Sequence, residues 1–232
     1  MRVVDEREIA GILDRCEGEL ARPGRPDLRA CGFWRAVAAV KRRPELIERY
    51  AEPIARIDRD AFLRATPIVL PAPVGLVLLG GGTLVGIVLV AAGAALASPL
   101  RDLAVLAGAG ALIGATHGLA HYVVGSLAGM RFRHWFSVPP LRPQPGFKVD
   151  YATYLRAPAT ARAWMHASGA IVSKVVPFAV LAAALAIGVE AWTAWALLAI
   201  GLFQLVTDAL LSVRGSDWKK FRREMRVARA LR

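Results

Sequence analysis

LAVLAGAGALIGATHGLAHYVVGSLAGM, residues 103–130, is the stretch whose reading decides the fold. It has no Lys, Arg, Asp or Glu and is long enough to cross a bilayer core, so it is expected to form a membrane-spanning helix over about 103–128. His117 and His121 lie inside it. Residues four apart share one helix face, one turn from each other. Imidazole in hydrocarbon is costly, so such a pair is expected to face a partner, a cavity or a metal. This spacing is also how one helix offers two ligands to zinc. The zinc-hydrolase form of the motif is His-Glu-x-x-His, in which the Glu is the general base. Gly118 stands at that position here.

The rest of the chain agrees with a membrane setting. Of 232 residues 56% are hydrophobic, and the mean hydropathy of +0.43 is too high for an ordinary soluble domain. The net charge is +12, but the basic residues gather between long apolar stretches. That pattern suits a membrane protein with basic cytoplasmic segments better than a nucleic-acid binder. Cys16 and Cys31 form no Cys-x-x-Cys motif and are expected to be reduced thiols. The polar, charged N-terminus does not resemble a cleavable signal peptide.

The expected fold is therefore all-α: a polytopic helical membrane protein with about four transmembrane helices and a helical cytoplasmic N-terminal segment. Residues 1–66 form that segment. Ile9, Ile12, Leu13, Cys16 and Leu20 recur at helical spacing behind Asp5, an expected N-cap. Phe33, Trp34, Val37 and Val40 mark a second helix, and Leu46, Ile47, Tyr50, Ile54 and Ile57 a third. Sixty-odd residues are a thin basis for an independent core, so the stripe either faces the bilayer or the membrane domain, or closes a small solvated domain. The transmembrane domain is expected over 67–213, with spans near 74–97, 103–128, 168–189 and 191–213. A re-entrant first segment is the alternative. Gly110, Gly114 and Gly118 form a small-residue strip beside the histidines. The proline-rich connection 129–167 cannot be one helix, and Phe132 to Val138 could be extended. Residues 214–232 form a basic cytoplasmic tail, expected to lie at an anionic lipid surface.

Loop charge sets the expected orientation. The N-terminal segment has fourteen Lys and Arg, the first loop only Arg101, the central loop six, the second hairpin none and the tail eight. This alternation places both termini and the central loop in the cytoplasm.

Asp208 is the other residue needing explanation, because a carboxylate in an apolar span is rare without a partner. At 1.5 Å per residue, His117 and His121 lie roughly 21 and 27 Å from the outer boundary, and Asp208 roughly 26 Å. Two imidazoles and one carboxylate at matching depth make the ligand count of a catalytic zinc site, with a fourth position open. An ion pair between Lys174 and Asp208 explains both charges with no metal. His134, beside Trp135, reads as interfacial, and His166 as a helix-entrance residue or a spare ligand.

From His117-Gly-Leu-Ala-His-Tyr-Val-Val-Gly-Ser-Leu-Ala-Gly-Met130 and Leu205-Val-Thr-Asp208, the chain resembles the site-2 proteases, intramembrane zinc metalloproteases, over about residues 103–220. The resemblance implies a zinc cofactor held by His117, His121 and Asp208, and a transmembrane-helix substrate or partner within the lipid bilayer. The chain departs from the family at Gly118, at Gln204 and Ala209 around the Asp, and at His166-Ala-Ser-Gly169 where the middle core helix opens. Asp150 could replace the missing base only if the central loop folds back toward the site. Two readings stay open: a catalytically silent relative that binds or regulates membrane helices, and an active peptidase with a non-standard base.

Overall fold

The computed structural model describes residues 4–138, 142–210 and 216–231. In chain order the helices are α1 (Glu6–Ala21), α2 (Phe33–Val40), α3 (Ile47–Ala65), α4 (Ala72–Ala92), α5 (Leu100–Leu127), α6 (Tyr151–Arg156), α7 (Ala159–Ile187), α8 (Ala191–Leu210) and α9 (Asp217–Ala230). Three short strands, β1 (Ile68–Pro71), β2 (Phe132–Val138) and β3 (Arg142–Val149), form one antiparallel sheet in the order β1-β2-β3. The architecture is all-α with this small sheet added, as the apolar patterning predicts.

Among the described residues, four helical segments are long and apolar enough to cross a membrane: Ala72–Ala95, Leu100–Leu127, Ala159–Ile187 and Ala191–Asp208. That is the make-up of an integral membrane protein. The first two pack through glycines. A Cβ on Gly86 would come within 3.0 Å of the Gly108 carbonyl oxygen, and one on Gly108 within 2.8 Å of the Gly86 carbonyl oxygen. The strip expected at Gly110 and Gly114 faces open space instead, and only Gly118 is packed. At the far end of the bundle, buried Asp102 accepts from the Glu190 N–H (2.9 Å) and the Thr193 hydroxyl (2.7 Å), tying the start of α5 to the start of α8.

The N-terminal stripe builds a core rather than a bilayer contact. Asp5 caps α1, accepting from the Glu8 N–H at 2.7 Å. Ile9, Ile12, Phe33, Val40, Ile54 and Ile57 are all fully buried in one cluster, which Ala152 and Leu155 of α6 complete. The central connection thus supplies the apolar surface that sixty residues alone lack. Lys148 pairs with buried Asp58 at 2.6 Å, and Arg156 reaches Glu48 and Glu52 at the same seam.

The sheet sits at this end of the bundle. Phe132 to Val138 is extended, as expected, but β1 and β3 carry no alternating pattern that predicts them. β2 lies on α4, where a Cβ on Gly75 would fall 2.3 Å from that of Trp135. β3 lies beside α5 near Gly118, and the hairpin is held by cross-strand pairing from Phe132 opposite Val149 to Phe136 opposite Gly146.

The tail does not lie free at a surface. Asp217–Ala230 is a helix packed along α7, with Phe221 against Trp164, Glu224 on Arg162, and Val227 and Ala228 against Ala159. Rising residue number on α9 meets falling number on α7, so the two are antiparallel. At 29 residues, α7 is about 43 Å long against a hydrocarbon core of about 30 Å. α9 packs along the first turns of α7.

Candidate metal centre

Helix α5 presents His117 and His121 on one face, with ring centroids 4.7 Å apart and planes at 89°. The hydrogen bonds behind each ring fix its tautomer. His121 Nδ1 lies 2.6 Å from the Met165 carbonyl oxygen, which can only accept, so Nδ1 carries the proton. The Ser173 hydroxyl donates to the Gly169 carbonyl at 2.9 Å, which uses its single hydrogen. Ser173 Oγ therefore accepts from His117 Nδ1 at 2.8 Å. In their neutral forms both rings keep an unprotonated Nε2, and the two Nε2 atoms face each other at 3.2 Å.

The third group is Asp217, in the first turn of α9. Its Oδ2 lies 3.2 Å from His121 Nε2 and 3.5 Å from His117 Nε2. Lys220 Nζ donates to Oδ1 at 2.9 Å and orients the carboxylate. The charge of Lys220 favours the ionised carboxylate. A position at a helix N-terminus also favours the anion.

With both rings neutral, three lone-pair donors converge with no hydrogen between them. Such an arrangement is repulsive unless a cation joins it. Tetrahedral ligands 2.0–2.2 Å from zinc stand about 3.3–3.6 Å from one another. The observed separations of 3.2, 3.2 and 3.5 Å match that spacing to about 0.1 Å. The group His117, His121 and Asp217 could therefore hold a metal ion. Each of the three side chains keeps 16–17% of its surface exposed, so one edge of the site stays open.

Gly169 makes room for this geometry. A Cβ there would lie 2.3 Å from His121 Nε2, so only glycine lets the ring lie flat against α7. This gives a physical use to a residue that the sequence shows only as a departure from the site-2 protease pattern.

The remaining candidates lie elsewhere. Asp208 is not the carboxylate beside the histidines; it forms an ion pair with Lys174 across α7 and α8, the metal-free alternative for that pair of charges. The depth argument selects Asp208 because it treats the chain beyond the last span as leaving the histidines. The chain instead returns through α9. A legible signal was Ser216-Asp217, an N-cap followed by an acid, ahead of an amphipathic run ending in Val227 and Ala228. Asp150 caps α6, accepting from the Ala152 and Thr153 N–H groups, and pairs with Arg133, so its oxygens are engaged away from the histidines. His166 Nε2 is engaged by the Tyr154 hydroxyl at 2.9 Å, and His166 does not fall within the His117, His121 and Asp217 group. His134 lies on β2, stacked on Phe62. At Gly118, a Cβ would meet Leu79 Cδ1 at 2.9 Å and the Pro145 carbonyl oxygen at 3.5 Å. No acidic side chain stands there.

Comparison with protein-family models, curated proteins and solved structures gives no match for this chain.

Proposed function

We propose that this chain is a divergent, catalytically silent relative of the site-2 proteases, which keeps an intramembrane zinc site at His117, His121 and Asp217 and binds or regulates membrane helices. The observation that carries the reading is the convergence of two imidazole nitrogens and one carboxylate oxygen whose spacing matches a tetrahedral zinc shell. The bonds to Met165 and Ser173 belong with it, since metal-ligating histidines usually have their second nitrogen fixed in this way. A zinc ion held there would supply a Lewis acid. The protein's own part is to hold the three ligands and leave one edge open. Among the described residues it offers no base beside them, because Gly118 has no side chain and Asp150 is committed to Arg133. That absence favours the silent reading over the active peptidase. The proposed setting is a multi-pass membrane protein with both termini cytoplasmic, supported by the alternation of basic loops. Its partner is then a transmembrane helix.

The test combines metal analysis with a cleavage assay. Purified protein should carry about one zinc per chain, His117→Ala should lose it, and a labelled transmembrane helix should stay intact. Metal-free wild-type protein contradicts the zinc site. Cleavage that Asp217→Ala abolishes contradicts the silent reading.

A further inference from the structure

Seven residues beyond Asp217, on the same face of α9, is Glu224, whose side chain is fully buried. Its two oxygens are divided between two parts of the fold. Oε1 takes Lys41 Nζ at 2.6 Å, from the end of α2 in the N-terminal unit. Oε2 takes Arg162 Nε at 2.8 Å, from α7. Lys41 and Arg162 are themselves 5% and 2% exposed. Arg162 is fixed further by the carbonyls of Leu155 (3.0 Å) and Ala157 (2.8 Å), and Lys41 lies over the Tyr154 ring.

A buried ionic cluster adds little net stability, because desolvation consumes most of the attraction. Its best-attested use is to fix register. Register is what Asp217 needs. A slip of α9 by one residue turns it by about 100° and moves it about 1.5 Å, which takes the carboxylate off the histidines. The apolar contacts farther along, Val227 and Ala228 on Ala159, are small and do not forbid such a slip. The charged cluster does, since any slip leaves three buried charges unpaired.

We infer that Glu224 is the positioning residue for Asp217, a latch through which the N-terminal helical unit, by Lys41, holds the third ligand on the histidines. The inference rests on the metal site proposed above. It makes metal affinity depend on how the N-terminal unit is seated. By linkage, metal binding tightens that seating by the same factor.

The test is a Zn2+ competition titration on the purified full chain, with Co2+ absorption reporting the ligand set. Glu224→Gln should weaken Zn2+ binding about 10–100-fold, the usual cost of losing an outer-shell partner, and change the Co2+ spectrum toward that of Asp217→Asn. Lys41→Met leaves Arg162 on Glu224 and should weaken binding less, in the same direction; it serves as the probe should Glu224→Gln fail to fold. The deciding comparison is made on Asp217→Asn. A latch acting through Asp217 has nothing left to position, so neither variant should lower affinity further there. An equal loss in both backgrounds shows a merely structural role and overturns the inference. So does wild-type affinity in folded Glu224→Gln. A wild type that binds no Zn2+ overturns the metal site and the latch together, which separates the two failures.

Discussion

Gly118→Glu restores the His-Glu-x-x-His order, and the structure sets what it costs and what it can return. The new Cβ would sit 2.9 Å from Leu79 Cδ1, against about 3.5–4.0 Å for an ordinary carbon contact. The Leu79 methyl must therefore retreat by about 0.6–1 Å. It is the free end of a side chain, so overpacking of about 1–3 kcal/mol is expected rather than collapse. The Pro145 carbonyl oxygen, 3.5 Å from that Cβ, cannot donate a hydrogen bond. It discourages the carboxylate from turning toward β3. A base placed beside the metal site is typically worth about 10²–10⁴-fold in rate, well above a silent background. The assay is cleavage of a labelled transmembrane helix, run beside zinc content and thermal unfolding. Adding Leu79→Ala should relieve the contact and recover part of the lost stability. A folded, zinc-loaded Gly118→Glu protein that cleaves nothing, with or without Leu79→Ala, would refute the view that only the base is missing.

Gly169→Ala should displace the His121 ring, because its Cβ would lie 2.3 Å from Nε2; Zn2+ titration should show at least about a 100-fold loss of affinity while helix content is unchanged. The Glu224 carboxyl is held down to about 2 from the ordinary 4.5, where burial, which would raise it, is outweighed by Lys41 and Arg162. A depressed acid contributes stability above its unfolded pKa and loses it as pH falls through the folded one. Chemical unfolding should therefore show stability falling between about pH 4.5 and 2, and Glu224→Gln should flatten that fall.

The sequence carries the parts of this protein that depend on local pattern. The spans follow from apolar length, the α1 cap from Asp5, and the histidine pair from its spacing. It does not carry what depends on distant packing. Residues 68–71 and 142–149 are strands because a neighbouring strand and the end of the bundle give them partners, and neither has a pattern of its own. The N-terminal core is closed by Ala152 and Leu155, about a hundred residues from the helices they complete. The third candidate ligand shows the same limit. Asp208 and Asp217 are both acids after the last apolar run, and depth along an ideal helix favours the first. The choice between them is made by Lys174 on one side and by Glu224, Lys41 and Arg162 on the other. Those are pairings across the fold, invisible to residue spacing.

The most direct measurement is zinc per chain in Asp217→Asn and Asp208→Asn, purified side by side with the wild type. Asp217→Asn should lose the metal that the wild type holds, and Asp208→Asn should keep it, because Asp208 is held by Lys174 and not by the histidines. The opposite outcome, zinc kept without the Asp217 carboxylate and lost without that of Asp208, would contradict the site described here.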